Sequence, residues 1–251
     1  MLAYEFLGAK IGAGKTMVLD KGFGLNAAAD LVATAGATID FIKLGWGTAA
    51  TMDRDLIKQK VALYRQANIV VYPGGTLLEV AEASGQYAAF LQETQALGFN
   101  GVEISDGSTV ITPARRQALI EQAKTAGLFV LTEVGKKNPT LDHELTVTQR
   151  LAEIQADLAA GANYVILEAR EAGKNIGIYD ATGAIIESEL DALAKAGSDQ
   201  LIFEAPLKPQ QVALILKFGP QVNLGNIAAA EATAVETLRR GLRGDTVGKI
   251  Q

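Results

Sequence analysis

Eight short apolar runs punctuate the chain, at residues 16–19, 41–44, 69–72, 101–104, 129–132, 164–167, 201–203 and 222–224. Nearly all of them end in charged residues, Gly or Asn. The followers are Asp20-Lys21-Gly22, Gly45-Trp46-Gly47, Pro73-Gly74-Gly75, Ser105-Asp106-Gly107, Glu133-Val134-Gly135-Lys136-Lys137, Glu168-Ala169-Arg170, Glu204-Ala205-Pro206 and Gly225-Asn226. The runs begin 21 to 37 residues apart, room for a strand, a loop and a helix in each interval. This spacing predicts an α/β protein, a (β/α)₈ TIM barrel. In such a barrel the C-terminal strand ends and their loops meet around one pocket.

The helices are legible between the runs, at 25–35, 53–66, 77–83, 86–97, 112–126, 147–160, 187–196, 209–218 and 228–241. In 53–66, Leu56, Ile57, Val61, Leu63 and Tyr64 fall near helical spacing, so one face can sit on the barrel. Pro113 stands at a first-turn position. Gly36, Gly98, Gly127, Gly161, Gly197 and Gly219 follow the helices and predict left-handed C-terminal stops. No Pro/Ser linker and no sequence repeat interrupts the chain, which predicts one domain over residues 1–251.

The 251 residues suffice for one large core. Lys plus Arg is 23 and Asp plus Glu is 28, a net charge of −5 with no overall basic footprint for nucleic acid. With no cysteine, disulfides, thiolate catalysis and Cys-ligated zinc are excluded, which fits a cytoplasmic setting. Residues 1–10 carry Glu5 and no long apolar stretch, so no signal peptide is expected. No run approaches the ~20 apolar residues that span a bilayer.

Carboxylates gather at the strand ends: Asp20, Glu103, Glu133 and Glu168, with Glu204 a fifth. Glu103, Glu133 and Glu168 come from three consecutive strands and could converge on one hard cation such as Mg2+, which prefers oxygen ligands. The alternative is a polar ring paired with the basic set Lys43, Lys136, Lys137, Arg170 and Lys208. Arg170 follows Glu168 by two residues and offers a bidentate fork to anions. Lys208 and Gly225-Asn226-Ile227 fall after runs seven and eight, where this fold often builds a phosphate site. Tyr72-Pro73-Gly74-Gly75-Thr76 is a donor-rich turn, or simply a tight one. Trp46 lines the pocket or packs under it. His143, the single histidine, lies in a polar stretch, and one His with no Cys argues against the usual zinc sites. No nucleophile-elbow motif is present.

Six strings carry a resemblance. They are Asp40-Phe41-Ile42-Lys43-Leu44-Gly45-Trp46-Gly47-Thr48, Val71-Tyr72-Pro73-Gly74-Gly75-Thr76, Val102-Glu103-Ile104-Ser105-Asp106-Gly107-Ser108, Thr132-Glu133-Val134-Gly135-Lys136-Lys137, Phe203-Glu204-Ala205-Pro206 and Leu238-Arg239-Arg240-Gly241-Leu242-Arg243-Gly244-Asp245-Thr246. The chain resembles the phosphosulfolactate synthase family over residues 5–249. That resemblance implies a (β/α)₈ barrel and a Mg2+-dependent carbon–sulfur lyase that adds sulfite to phosphoenolpyruvate, giving (2R)-phospho-3-sulfolactate. In methanogens this reaction opens coenzyme M biosynthesis; bacterial members are associated with sulfolactate formation, and a plant heat-stress protein also looks like the family. The family pattern places a general-acid lysine in the Glu133 to Lys137 stretch, with Lys137 preferred to Lys136. Both reactants are anions, so Lys43, Arg170 and Lys208 are expected to offset their repulsion. The resemblance also suggests a homo-oligomer, a trimer. Two other readings stay open: a Schiff-base aldolase using Lys43 or Lys137, and a binding or stress-related barrel without turnover.

Overall fold

Alternation along each strand decides what fills the barrel. Residues one apart point to opposite faces and residues two apart to the same one. In the computed structural model, which describes Tyr4, Phe6 and residues 14–250, eight strands carry this alternation. They are β1 (Thr16–Asp20), β2 (Phe41–Leu44), β3 (Val70–Pro73), β4 (Gly101–Ile104), β5 (Phe129–Val134), β6 (Tyr164–Leu167), β7 (Leu201–Glu204) and β8 (Leu224–Ala228). Between them run α1 (Leu25–Ala35), α2 (Thr48–Thr51), α3 (Arg54–Gln66), α4 (Gly75–Ala83), α5 (Tyr87–Ala96), α6 (Pro113–Thr125), α7 (Pro139–Glu144), α8 (Val147–Ala160), α9 (Glu187–Ala194) and α10 (Lys208–Phe218). After β8 comes α11 (Ala232–Arg239). The sheet order is β3-β2-β1-β8-β7-β6-β5-β4, with every ladder parallel. This is the (β/α)₈ barrel that the run spacing predicts. The opening residues 1–10, where no signal peptide is expected, lie outside the described residues except for Tyr4 and Phe6. No helix among the described residues is long and apolar enough to cross a membrane.

Outward positions such as Val18, Ile42, Leu44, Val71 and Val165 are buried under the helices. Inward positions form layers. Phe41, Phe129 and Tyr164 pack with ring centroids 5.6 to 6.1 Å apart. Met17, Tyr72, Leu131, Ile166 and Ile202 complete the apolar filling. Two residues further along the same strands the inward face turns ionic: Phe41 leads to Lys43, Leu131 to Glu133, Ile166 to Glu168 and Ile202 to Glu204. An apolar floor therefore supports a charged roof at the C-terminal end.

β3 and β4 meet at the seam where the strand order ends, and a side chain bridges it. Asn100, just before β4, accepts the Val71 N–H at 2.8 Å. The same device recurs before the other even-numbered strands. Asp40 accepts the Thr16 N–H (3.0 Å), Asn163 that of Val130 (2.9 Å) and Asn223 that of Lys15 (2.9 Å). These brackets fasten the N-terminal end of the barrel. Asn100→Ala strands the Val71 amide in a buried position and is expected to cost ~1–3 kcal/mol, read as a lower denaturant midpoint at unchanged slope.

Two expectations shift. The eighth strand begins at Leu224, not at 222, because Asn223 is used as a bracket: its amide also donates to the carbonyls of Asp199 and Leu201. Gly225 and Asn226 thus belong to the strand and not to a loop entering the last helix. Gly36 does not stop α1 in a left-handed turn; its φ is −54°, and the chain continues as a short 3₁₀ turn. Glycine serves there for closeness, since a Cβ would come within 3.3 Å of Val32. Gly161, by contrast, ends α8 at φ 108° as expected.

Candidate active site

The charged roof brings four buried glutamates from four consecutive strands under two lysines. Lys43 Nζ lies 2.9 Å from Glu103 Oε2, 2.9 Å from Glu133 Oε2 and 3.8 Å from Glu204 Oε1. Lys137 Nζ lies 3.4 Å from Glu133 Oε1 and 3.9 Å from Glu168 Oε2, and donates to Thr76 Oγ1 at 2.9 Å. Lys43 is 12% exposed and Lys137 24%, so both ammonium groups face the mouth while the carboxylates lie beneath. Above them opens a cleft of about 290 Å³, lined among others by Gly74, Gly75, Thr76, Trp46, Arg170 and Asn226. Trp46, Arg170 and Asn226 all hold φ near +55 to +58°, a conformation that costs non-glycine residues free energy. Asn68 and Asn175 are the other non-glycine residues with positive φ among the described residues, and they lie outside the cleft lining.

Two ammonium charges are too few for the carboxylates gathered here. Burial pushes Glu103 up to about 7, with the neighbouring Glu133 adding to the rise against the pull of Lys43. Burial, then the charges of Glu133 and Glu204, pushes Glu168 well above the usual carboxylate range; burial also raises Glu204. Glu133 goes the other way: despite its burial, Lys137 and Lys43 hold it low. The same carboxylates keep Lys43 and Lys137 protonated above their ordinary range, against the opposing effect of burial.

The sign of the pH dependence follows. Between its ordinary 4.5 and about 7, Glu103 holds more proton in the folded than in the unfolded chain. Raising pH through that window therefore costs stability, and Glu168 and Glu204 act in the same direction. Metal-free protein is expected to melt lower at pH 8 than at pH 6, and added Mg2+ to raise the melting temperature more at pH 8. Melts in a chelator and in Mg2+ at both pH values check this.

Oxygen ligands for a cation converge on a set that differs by one from the expectation. Glu133, Glu168 and Glu204 each offer an oxygen, all within 4.8 Å of one another. Glu103 stands outside this group; its Oε1 accepts the Gly75 N–H at 2.7 Å and its Oε2 faces Lys43. No N–H donates to Glu133 Oε1 or Glu168 Oε2; Lys137 stands within ion-pair reach of both, and the two carboxyls are close enough to share a proton. Three buried carboxylates in net negative surroundings, with oxygens that no N–H holds, suit a hard divalent cation.

The other sequence-derived candidates divide. Arg170 reaches the cleft, and its backbone N–H donates to Glu168 Oε1 (2.7 Å) and Glu204 Oε2 (3.1 Å). Asn226 lines the cleft and its side-chain amide contacts Glu204 Oε2 at 3.3 Å. Gly225 lies deeper, against Met17 and Ile202, where a Cβ would not fit. It gives the floor room and presents no helix-start amide. Lys136 turns away from the mouth, and its ammonium is taken by Asp106 through carbonyl and carboxylate. Lys208 opens α10 outside the cleft lining and pairs with Asp245 at 2.7 Å. Asp20 points outward, outside the cleft lining, and is bound by Lys60 (2.8 Å) and Tyr64 (2.8 Å) of α3. His143 is exposed on α7. Trp46 lines the cleft and is 60% exposed, with Lys21 over its ring at 4.8 Å.

Glu79 escapes the sequence reading, and Thr76 figures there only within a donor-rich turn. Glu79, on α4, is fully buried 3.6 Å from Lys137; it accepts from Ser105 Oγ, the Ser108 N–H and Thr109 Oγ1. Thr76 holds the Lys137 ammonium directly. The signal for Glu79 was faint, a lone carboxylate within the otherwise apolar first turns of a helix.

The family model for (2R)-phospho-3-sulfolactate synthase matches residues 10–245. The phosphosulfolactate synthase of Methanocaldococcus jannaschii is 53% identical over 251 residues, covering all of both chains. That of Methanothermobacter thermautotrophicus is 48% identical over all of this chain and 99% of its own. The Bacillus subtilis protein of the same name is 37% identical over 93% of this chain and 92% of its own. Among solved structures, a 3-hexulose-6-phosphate synthase superposes with a TM-score of 0.57 at 16% identity over 90% of this chain and 98% of that one. A likeness at that identity shows the fold alone.

Proposed function

We propose, since this chain belongs to the (2R)-phospho-3-sulfolactate synthase family, that it adds sulfite to C3 of phosphoenolpyruvate with the help of Mg2+. The observation that carries the reading is the protonated Lys137 standing at the cleft mouth over a buried, cation-suited set of Glu133, Glu168 and Glu204.

The chemistry asks for what these residues offer. Sulfite sulfur forms a bond to C3, and the C2–C3 electron pair moves toward the substrate carboxylate. A proton must then reach C2 on one face, while the phosphate ester stays intact. Lys137 carries such a proton, kept on its Nζ by Glu133 and Glu168, and would deliver it to C2 as general acid before recovering one from solvent. Glu133, Glu168 and Glu204 would hold Mg2+, which supplies positive charge for the developing enediolate. Lys43 keeps the carboxylate layer folded around that position, and Arg170 stands at the rim where anionic reactants arrive. Lys208, which lies outside the cleft lining and pairs with Asp245 at the surface, is given no role in this reading.

No observation favours a Schiff base. Such a nucleophile needs a free amine, and the carboxylates hold both Lys43 and Lys137 in the ammonium form. The test is stoichiometry. With Mg2+, phosphoenolpyruvate and sulfite should disappear one for one, with no inorganic phosphate released. Phosphate release, or loss of phosphoenolpyruvate without sulfite, would assign the cleft a different reaction.

A further inference from the structure

The acid is held at three points by one rigid unit. Its ammonium donates to Thr76 Oγ1 at 2.9 Å, the one hydrogen bond of Nζ among neighbours that otherwise sit at 3.4 to 3.9 Å. Its stem lies across Gly107, where a Cβ would stand 3.2 to 3.4 Å from three of its carbons. Its backbone N–H donates to the Gly107 carbonyl at 2.9 Å. Thr76 lies in the first turn of α4 and Gly107 in the loop after β4, but Glu79 ties them together. One helical turn beyond Thr76, its carboxylate accepts from Ser105, Ser108 and Thr109, on both sides of Gly107. Lysine has four rotatable side-chain bonds, so a terminal hydrogen bond decides where the proton sits.

We propose that Thr76 is a positioning residue for the reaction: its hydroxyl aims the Lys137 ammonium at the face of the substrate that receives the proton. The inference rests on the reading of Lys137 as the proton donor. Thr76 is exposed in the first turn of α4, so a valine of the same shape removes the hydroxyl with little disturbance of the fold.

The experiment compares Thr76→Val, Thr76→Ser and Lys137→Ala with the parent chain, in Mg2+ with phosphoenolpyruvate and sulfite. It reads kcat, KM, the solvent deuterium isotope effect and the configuration at C2. Thr76→Val is expected to lower kcat ~10- to 100-fold, the scale of a misaimed group. KM should stay within about threefold, since ground-state binding is untouched. The isotope effect should rise, some 2S product should form, and Thr76→Ser should recover most of the loss. Parent-like turnover of Thr76→Val beside an inactive Lys137→Ala overturns the proposal. So does a rise in KM alone, which would make Thr76 a substrate contact, or a loss that serine does not recover. An active Lys137→Ala would instead remove the acid role on which the proposal rests.

Discussion

Lys137→Ala is expected to cut turnover by ~10²- to 10⁴-fold, the usual worth of a positioned general acid, while the chain folds and still binds phosphoenolpyruvate. Two features separate this lysine from its neighbour. Lys137 is a quarter exposed at the mouth of the cleft, within 4 Å of Glu79, Glu133 and Glu168. Lys136 is spent on Asp106, outside the barrel mouth. Lys136→Ala should therefore act through loop stability and leave the chemical step far less affected. Steady-state kinetics of the two variants, with melting curves to confirm folding, check the contrast. A Lys137→Ala enzyme that turns over normally would move the proton donor elsewhere.

Lys43→Met is expected to destabilise the metal-free fold by ~3–5 kcal/mol, the cost of leaving buried charges without their partner. Lys43 is the ammonium through which Glu103, Glu133 and Glu204 are gathered inside the barrel. Methionine nearly matches its length and supplies no charge. The loss should be larger at pH 8 than at pH 6, because Glu103 and Glu168, both pushed up by burial, take up protons as pH falls. Denaturant unfolding at the two pH values measures it. An equal loss at both would mean that the carboxylates do not repel one another as the geometry requires.

Much of the fold was legible because a barrel strand carries its own punctuation. Runs such as Gly101–Ile104 and Tyr164–Leu167 are strands to the residue. The carboxylates were legible for the same reason: Glu133, Glu168 and Glu204 each sit two residues beyond an inward apolar residue. Spacing alone could not say which three converge. Glu103 has the right position in its strand but stands outside the group of three, with the Gly75 amide of α4 on one oxygen and Lys43 on the other. Those contacts are tertiary and leave no local trace. Asp20 misled for a related reason. It ends its strand as the others do, but on the opposite face, one residue past the inward Leu19, where Lys60 and Tyr64 of α3 claim it. Lys208 opens α10 after β7 as the spacing has it, and its side chain pairs with Asp245 at the surface, a contact that leaves no local trace in the sequence. The floor brackets had a signal, a lone Asn or Asp at the start of alternate strands in Asp40, Asn100, Asn163 and Asn223. It is visible only once the ladders are known.

The most direct measurement is the reaction in D₂O, with phosphoenolpyruvate and sulfite, once in Mg2+ and once in chelator, followed by mass spectrometry and NMR of the product. The expected result is phosphosulfolactate that forms only with Mg2+, with a single deuterium at C2 and one configuration there. Product forming equally in chelator, product of mixed configuration, or no product from folded, metal-loaded protein would contradict a metal-assisted addition completed by one fixed acid.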